Sequence, residues 1–395
     1  MTGSIRSPTH SALPRTVWAL GLVSLLMDMS SEIIHGLLPL FLTTTLGASV
    51  ALVGVIDGVA EATATIAKVF SGYVSDRIGR RKPLILLGYG LAALSKPLFP
   101  LAASAGVVLG ARFIDRIGKG LRGAPRDALI ADVTPDYQRG RAYGLRQALD
   151  TVGAFIGPLL AIGLMQLYAN DMRMVFCFAV IPALLSVVFV VFGVQDARIA
   201  PTSTAPRTPI QWRDLRNFDR VYWQVVVLGV VFTLARFSEA FLILKAYDGG
   251  LALALAPLVL VVMNVVYALG AYPSGVLADH MGPRGLLLAS LAALIAADVL
   301  LALGDGLVMI FAGIALWGMH MALSQGLLSK LVADHAPATL RGSAFGVFNL
   351  SSGIAMLLAS AVAGGLWTLF GAATTFWAGA LFALLAGMVV AAMRK

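Results

Sequence analysis

The chain has 395 residues, of which 59% are hydrophobic types and only 12% are charged. Because a soluble domain carries about 25% charged residues, this composition excludes a soluble globular enzyme, a disordered regulator and a fibrous protein. The mean hydropathy of +0.87 indicates a protein that crosses the lipid bilayer many times, since each crossing takes about 20 apolar residues.

The net charge is +9, from 29 Lys and Arg against 20 Asp and Glu. In a soluble protein such an excess would suggest nucleic-acid binding. Here the basic residues lie mainly in short stretches between apolar runs, which is the pattern that fixes the orientation of a membrane protein. We therefore expect a multi-pass protein of the plasma (inner) membrane and no nucleic-acid partner.

Twelve apolar runs follow one another along the chain and predict twelve membrane-spanning helices, spans 1 to 12. The runs cover residues 17–43, 51–75, 84–103, 107–130, 142–168, 173–194, 221–246, 252–277, 285–303, 307–333, 342–370 and 372–393. One extended polar stretch divides them into six and six. This predicts an all-α integral membrane protein with a six-helix bundle at 1–194, a cytoplasmic linker at 195–220 and a second six-helix bundle at 221–395.

The Lys and Arg residues between the runs are divided unequally between the two sides of the membrane. One side has Arg6, Arg15, Arg77, Arg80, Arg81, Lys82, Arg139, Arg141, Arg198, Arg207, Arg213, Arg216, Arg220, Arg284, Arg341, Arg394 and Lys395. The other side has Arg173. Because the basic side of a membrane protein faces the cytoplasm, both termini and the linker are predicted to be cytoplasmic.

Span 1 carries three ionisable residues, Asp28, Glu32 and His35, at spacings of four and three. These spacings put all three on one helical face, and Asp28 lies about 16 Å into the span, near the bilayer midplane. An ionisable group at this depth is costly, so it usually faces a cavity or a partner. Two interpretations are open: a proton relay, or a ligand set for a divalent metal such as nickel, cobalt, iron(II) or zinc.

Span 2 continues this pattern with Asp57 and Glu61, four residues apart. Span 4 carries seven charged residues on one face: Arg112, Asp115, Arg116, Lys119, Arg122, Arg126 and Asp127. At 100° per residue they fall within about 140° of the helix circumference, and they extend over about 21 Å. This basic stripe either forms salt bridges to the acids of spans 1 and 2, which we favour for most of its members, or attracts an anionic solute.

Span 5 adds Arg146 and Asp150, four residues apart, which can pair within the helix. The second half is sparser in charge, with Arg236 and Glu239 in span 7 and His320 in span 10. Arg236 and Glu239 are three residues apart and can pair with each other. A lone histidine in a span, such as His320, is more often a packed, hydrogen-bonded residue than a ligand.

The two halves of the chain repeat one another. Gly72-Tyr-Val-Ser-Asp76-Arg77-Ile-Gly79-Arg80-Arg81 recurs 203 residues later as Gly275-Val-Leu-Ala-Asp279-His-Met-Gly282-Pro-Arg284, and Arg139-Gly-x-Ala-Tyr-Gly144 recurs 202 residues later as Arg341-Gly-x-Ala-Phe-Gly346. Two parallel repeats of six helices, related by an axis along the membrane normal, are the architecture of one large class of transporters.

The chain resembles the major facilitator superfamily in four features. These are the basic loop from Gly72 to Lys82, its weaker second copy, the twelve spans and the central linker. The run Arg116-Ile-Gly-Lys119-Gly120 is similar to the superfamily's Arg-x-x-Gln-Gly element. Span 5 carries Gly153-x-x-x-Gly157-Pro158, which is similar to the start of the drug/proton antiporter signature, but Leu160-Ala161-Ile162-Gly163 replaces its closing Gly-Gly. The plain alternative for Gly153 and Gly157 is close helix packing. The resemblance implies two bundles around a central cavity that spans 1, 4, 7 and 10 line.

The loop after span 2 is the candidate gate. Gly79 permits a tight turn, and Asp76, an acid among arginines, can pair with an arginine or cap a helix N-terminus. A pairing that crosses between the bundles would favour one conformation by about 1–3 kcal/mol. The gating set is Gly72, Asp76, Arg77, Gly79, Arg80 and Asp279. For Arg80, Arg81 and Lys82 we favour the alternative that they only set the topology.

The charges and the resemblance together predict a secondary transporter that exports a small polar or charged solute, with proton coupling and alternating access. Candidates for proton coupling or cargo binding are Asp28, Glu32, His35, Asp57, Glu61, Arg112, Arg116, Lys119, Arg122, Arg146, Asp150, Arg236, Glu239 and His320. The alternatives are a divalent transition-metal transporter and an importer of an organic anion or siderophore-like cargo. No catalytic or ATP-binding motif is present. We therefore expect no enzyme activity and no cofactor, and a monomer whose partners are its cargo, protons and lipid.

Overall fold

A computed structural model of the chain describes residues 12–196, 218–280, 283–335 and 341–392. The helices of the first half are Arg15–His35, Leu38–Leu40 with a π-helical turn Phe41–Thr45, Val50–Ile78, Lys82–Ser95, Ala105–Val133, Arg139–Leu167 and Met172–Gly193. Those of the second half are Arg220–Leu234, Ala240–Asp248, Leu258–His280, Pro283–Leu303, Leu307–His335, Arg341–Phe370 and Ala372–Ala392. The prediction of an all-α membrane protein is confirmed, and these helices follow the twelve apolar runs to within a few residues.

Eight helical stretches of the described chain are long and apolar enough to cross a membrane, and the shorter apolar helix Arg220–Leu234 accompanies them. Span 3 has only a 14-residue α-helix, Lys82–Ser95, which continues as a 3-10 turn. Span 4 has the full length, 29 residues, but its charged stripe lowers its hydropathy. The departures from a simple apolar helix therefore coincide with buried charge or with a break in the helix.

Polar residues at the helix ends determine where several spans begin. The Ser49 side chain accepts a hydrogen bond from the Leu52 backbone N–H at the start of span 2, and Asp171 caps span 6 in the same way. At the other end of span 2, Gly79 adopts a left-handed backbone conformation with φ of 68°. A residue with a side chain is strained in this conformation, so the tight turn into span 3 requires glycine.

Two spans are broken within their length. In span 1 the first helix ends at Gly36, whose backbone N–H bonds to the Glu32 carbonyl, and a π-helical turn follows at Phe41–Thr45. In span 7 the helix ends at Leu234 and restarts at Ala240. Irregular backbone at membrane depth is tolerated where other helices or a cavity satisfy its polar groups, so both breaks mark places where the halves meet.

Spans 1 to 6 pack mainly against one another, as do spans 7 to 12, and the two groups join chiefly where span 2 lies along span 11. Within the first group, span 1 contacts spans 5 and 6, and span 4 contacts spans 2 and 3. The main apolar core carries aromatic residues from both groups, including Phe41 against Phe176 and Phe237 against Trp317. Most of the predicted linker, residues 197–217, lies outside the described chain, and the proposed domain boundaries stay a prediction.

Glycine allows the close approach of spans 2 and 11. A Cβ atom added to Gly54 would lie 2.2 Å from the Ser360 carbonyl oxygen, and one added to Gly364 would lie 2.8 Å from the Ala51 Cα. The Ala51 backbone N–H also donates to the Thr368 hydroxyl at 3.0 Å. These contacts join the halves toward the ends of the two spans that lie away from Gly79.

Candidate functional site

The carboxylate of Asp57 joins both halves. It accepts a hydrogen bond from Arg112 Nη2 of span 4 at 2.7 Å and another from the Ser238 hydroxyl of span 7 at 2.7 Å. Ser238 lies in the break of span 7, where its backbone N–H donates to the Ser360 hydroxyl of span 11 at 3.2 Å. Four spans thus meet at this carboxylate, and Asp57 and Arg112 are both buried.

Two further pairs tie the stripe of span 4 to neighbouring helices. Lys96 Nζ lies 2.8 Å from Asp115 Oδ1, with the ammonium group only 1% exposed, and it also donates to the Ser31 hydroxyl at 3.0 Å. Arg116 Nη2 lies 3.1 Å from Glu61 Oε1. Of the five cations of the stripe, Arg112 and Arg116 thus form salt bridges to acids of span 2, and among the described residues none pairs with an acid of span 1. Asp115 pairs with Lys96 of span 3 instead.

At the end of the stripe nearer Val133, the arginines contact aromatic and hydroxyl groups. Arg126 donates to the Ser24 hydroxyl at 3.0 Å and contacts the neighbouring Asp127 at 3.2 Å. The guanidinium of Arg122 lies over the Tyr89 ring, 4.6 Å from its centroid, in a cation–π contact. Both arginines are buried, so neither presents a free charge to a solute.

Lys119 differs from the other cations of span 4. Its side chain is exposed, and no carboxylate of the described residues lies within 4 Å of its ammonium group. It nevertheless lies in the electrostatic field of four acids, Asp28, Glu32, Glu61 and Asp150. Lys119 is therefore the exposed cation of the stripe, and it acts on these acids at longer range.

The three ionisable residues of span 1 separate into two environments. Glu32 and His35 approach each other, with Nδ1 3.6 Å from Oε2. Asp28 instead lies near Asp150 of span 5, close enough for the two carboxyl groups to influence each other. Among the described residues no group of three His, Cys, Asp or Glu side chains is arranged to hold a metal ion. The geometry therefore gives the divalent-metal alternative no support.

Span 5 approaches span 1 closely because of its glycines. A Cβ atom added to Gly153 would lie 2.3 Å from the Leu25 carbonyl oxygen, and one added to Gly157 would lie 2.7 Å from the Met29 carbonyl oxygen. The packing interpretation of the Gly153-x-x-x-Gly157 run is thus sufficient to explain it.

Arg146 and Asp150 form the predicted pair within span 5. Arg146 Nη2 lies 3.3 Å from both carboxylate oxygens of Asp150. In span 7, by contrast, Arg236 and Glu239 flank the helix break, and no ion pair joins them in the described structure. The expectation that these two residues pair is wrong because it assumed a continuous helix, on which residues three apart face each other.

The second half holds its polar groups in packed positions. His320 Nδ1 lies 2.8 Å from the Ser290 hydroxyl, and its ring stacks on Phe232 with centroids 6.3 Å apart. This is the packed arrangement that the sequence favoured over a ligand role. Asp298 of span 9 is fully buried, and neither of its oxygens has a hydrogen-bond partner among the described residues. Its Oδ2 faces Gly379 of span 12.

The basic loop after span 2 is bound within the first half. Asp196 Oδ1 accepts hydrogen bonds from the backbone N–H groups of Arg81 and Lys82, so it caps span 3. Arg80 Nε lies 3.6 Å from the same carboxylate, and Arg81 Nε lies 3.3 Å from Asp132 at the end of span 4. These arginines therefore hold the loop to spans 4 and 6.

The remaining gating residues are only partly described. Gly72 lies in span 2, where an added Cβ atom would lie 3.4 Å from the Ala124 Cβ of span 4. The side chains of Asp76, Arg77 and Asp279 lie outside the described structure, and their gating role stays a prediction.

Sequence reasoning missed two residues of this site and one contact within it. Lys96 was visible as a lone cation in an apolar run, and its pairing with Asp115 could have been inferred from that. Ser238 carried no signal, because its role depends on the break in span 7. The contact between Asp28 and Asp150 could not be inferred either, since it depends on the register between spans 1 and 5.

The sequence profile described as Major Facilitator Superfamily matches residues 20–256 and 240–395 of this chain. An uncharacterised MFS-type transporter of Methanocaldococcus jannaschii is 29% identical over 390 residues, which cover 96% of this chain and 94% of that protein. The multidrug resistance protein MdtH of Yersinia enterocolitica is 30% identical over 143 residues, 36% of this chain and 35% of that protein.

Solved structures agree with the fold. The crystal structure of the nucleoside transporter NupG superposes with a TM-score of 0.77 at 15% identity and covers 95% of this chain and 98% of that one. At this identity the likeness concerns the fold alone. Together with the profile match over nearly the whole chain, it leads to one conclusion: the chain belongs to the major facilitator superfamily of secondary transporters.

Proposed function

We propose that the protein exports a small polar or charged solute in exchange for protons, by alternating access between its two halves. The observation that carries this proposal is the group of four acids, Asp28, Glu32, Glu61 and Asp150, around the unpaired Lys119. Helix packing alone would not require five ionisable groups, because each of them is costly at membrane depth. An acid that can gain and lose a proton beside an exposed cation is what coupling requires.

The distribution of accessible charge narrows the cargo. Arg112, Arg116 and Arg122 are buried, whereas Lys119 is exposed and the Glu61 side chain is 43% exposed. The cargo therefore meets one cation and several acids rather than a row of free arginines. This favours a cationic or zwitterionic solute over a simple anion.

The second half offers an apolar surface. Spans 8 and 10 border a cavity of about 410 Å³ lined by apolar residues that include Val266, Leu269, Pro273, Met319 and Leu323, with Ser274 as its polar member. A solute with an apolar body and a charged head would suit this contrast between the halves. The partial match to MdtH, whose name is multidrug resistance protein, supports a drug-like cargo.

The contacts between the halves support an inward-facing conformation. The bond between Ala51 and Thr368 and the close approach of Gly36 to Pro257 both lie toward the ends of the spans away from Gly79. By the distribution of Lys and Arg, Gly79 lies on the cytoplasmic side. Asp57, bonded to Ser238, would then close the outer side of the cavity, and the loops of Asp76 and Asp279 would close the inner side in the other conformation.

Transport into inverted membrane vesicles tests the proposal. The probes are ethidium as an amphipathic cation, a radiolabelled organic anion and nickel ions, each with and without an imposed pH gradient. A gradient of one pH unit stores about 1.4 kcal/mol. One-for-one exchange of a monovalent cation for a proton moves no net charge, so this gradient accumulates the cation about tenfold. We expect gradient-driven accumulation of ethidium, and vesicles without the protein are the control. If the gradient drives no probe above the control, the proposal is wrong.

A further inference from the structure

Spans 2 and 4 align their charged residues in a regular way. Asp57 pairs with Arg112 at 2.7 Å, and Glu61 pairs with Arg116 at 3.1 Å. Both pairs join residues that are 55 positions apart in the chain. In each pair, span 2 supplies the acid and span 4 supplies the cation.

The next charged residue of span 2 on this face breaks the pattern. Lys68 follows Glu61 by seven residues, which places the two side chains on the same side of the helix. The residue of span 4 that lies 55 positions further along is Gly123, which has no side chain. A Cβ atom added to Gly123 would lie 3.8 Å from Lys68 Cε, so the lysine side chain extends over the glycine. Span 2 thus places a cation opposite a gap in the charged stripe of span 4.

Lys119 lies beside the same gap. It precedes Gly123 by four residues, and residues four apart are neighbours on a helix surface, with about 5–6 Å between their Cβ atoms. Lys68 and Lys119 are both exposed. In the part of the chain that the structure describes, neither lysine forms an ion pair. Lys68 therefore adds a second exposed cation to the one that span 4 offers, and both retain donors for a ligand.

Neither lysine belongs to the basic loops that orient the chain. Lys68 lies eleven residues before the turn at Gly79, and Lys119 lies fourteen residues before the end of span 4 at Val133. At 1.5 Å per residue these separations are about 16 Å and about 21 Å. An unpaired cation at such depth is costly and usually faces a cavity or a partner. Two of them beside one gap indicate a site for a negatively charged group.

The charge around the gap agrees with this. The groups that act electrostatically on Lys68 are one acid, Asp127, and three cations, Arg126, Arg146 and Lys119. Asp127 already contacts Arg126 at 3.2 Å. The charged groups around Lys68 therefore leave an excess of positive charge, which favours an anion in the gap.

We propose that Lys68 and Lys119 bind a carboxylate of the cargo in the gap left by Gly123. Glu61, whose side chain is 43% exposed, lies two turns away on span 2, at a distance of about 10 Å along the helix. A cargo cation beside Glu61 and a cargo carboxylate at the lysines would place a zwitterion along these two spans. The inference thus selects the zwitterion from the cargoes that the proposed function allows, and it rests on that function, because the carboxylate belongs to the transported solute.

Fluorescence anisotropy of two dyes with the purified full-length protein tests the site. Rhodamine 110 has a cationic xanthene ring system and a free carboxylate, and rhodamine 123 is its methyl ester, which lacks the negative charge. We expect the wild-type protein to bind rhodamine 110 about tenfold more tightly, because hydrogen bonds between charged groups are the stronger ones. Equal affinities for the two dyes, or no binding of rhodamine 110, would overturn the inference.

Variants assign the preference to the lysines. Lys68→Gln and Lys119→Gln should each weaken the binding of rhodamine 110 about tenfold and leave that of rhodamine 123 unchanged, which also shows that the variants are folded. Lys68→Arg keeps the charge and should keep most of the preference. The matched control is Arg141→Gln, which removes an exposed cation of span 5. A preference that persists in both glutamine variants, or that is lost equally in the control, would contradict the assignment.

The transport assay separates this inference from the proposed function. The dye measurements need no gradient, whereas the proposed function predicts ethidium accumulation driven by a pH gradient. If the gradient drives ethidium but rhodamine 110 is not preferred, proton exchange stands and the lysine site falls. If rhodamine 110 is preferred through the lysines but the gradient drives no probe, the lysine site stands and proton exchange falls.

Discussion

At the scale of single residues, most buried cations of the first half are paired with acids. Five cations of this half, Lys96, Arg112, Arg116, Arg126 and Arg146, each contact an acid. The desolvation of such pairs costs about as much as their attraction returns, so they add little net stability, but the loss of one partner leaves a buried charge alone. The pairs therefore fix a geometry more than they stabilise the fold.

The pair of Arg112 and Asp57 gives the sharpest test of this view. Arg112→Ala should destabilise the protein by about 3–5 kcal/mol, because it leaves the Asp57 carboxylate buried without its cation. The double variant Arg112→Ala/Asp57→Asn should recover part of this loss. Thermal unfolding of the detergent-solubilised protein measures both, with the exposed Arg141→Ala as control. Equal unfolding temperatures for the single and double variants would contradict the pairing.

Asp298 should behave differently because it has no partner. A charged carboxylate in its surroundings would cost several kcal/mol, so we expect the neutral acid form. Asp298→Asn replaces it with a neutral group of nearly the same shape and should change the stability by less than about 1 kcal/mol. Thermal unfolding checks this, and a loss as large as that of Arg112→Ala would reveal a charged partner for Asp298.

At the scale of helices, the sequence predicted the elements well and their breaks poorly. The runs of apolar residues determine where spans begin and end, because each must match the thickness of the bilayer. The break at Ser238 and the contact of Asp28 with Asp150 depend on how separate helices dock, which helical periodicity does not contain. That the charged residues of span 4 form ion pairs was predictable, because a buried cation requires an acid. The pairing of Asp115 with Lys96 was not predicted, because Lys96 was not considered.

The glycines of span 5 allow a matched test of helix docking. Gly153→Ala would place a Cβ atom 2.3 Å from the Leu25 carbonyl oxygen, whereas a Cβ atom at Gly163 on the same helix meets nothing within 4 Å. Gly153→Ala should therefore destabilise the protein by about 1–3 kcal/mol, and Gly163→Ala should not. The unfolding temperatures of the two variants test this prediction. Similar temperatures for both would show that spans 1 and 5 pack less closely than described.

At the scale of the whole molecule, the halves meet along spans 2 and 11 and through the carboxylate of Asp57. These contacts must break when the transporter changes conformation, so substitutions there should shift the balance between inward-facing and outward-facing states. A shift from 1:99 to 99:1 needs about 5.5 kcal/mol, which a few lost contacts can provide.

Adjacent glycines of span 11 offer the matched pair for this effect. A Cβ atom at Gly364 would lie 2.8 Å from the Ala51 Cα, and one at Gly365 would meet nothing within 4 Å. We expect Gly364→Ala to raise the outward-facing population and Gly365→Ala to leave it unchanged. Distances between spin labels placed on the outer ends of the two halves report this population. Identical distance distributions for the two variants would contradict the described closure.

The exchange of protons for cargo is the central claim, and the reciprocal flux tests it most directly. Proteoliposomes with a pH indicator in the lumen start without a pH gradient and receive ethidium outside. Entry of ethidium through an exchanger must move protons outward, so the lumen should become alkaline in proportion to the ethidium taken up. Ethidium uptake by the wild-type protein with no change in luminal pH would contradict the account.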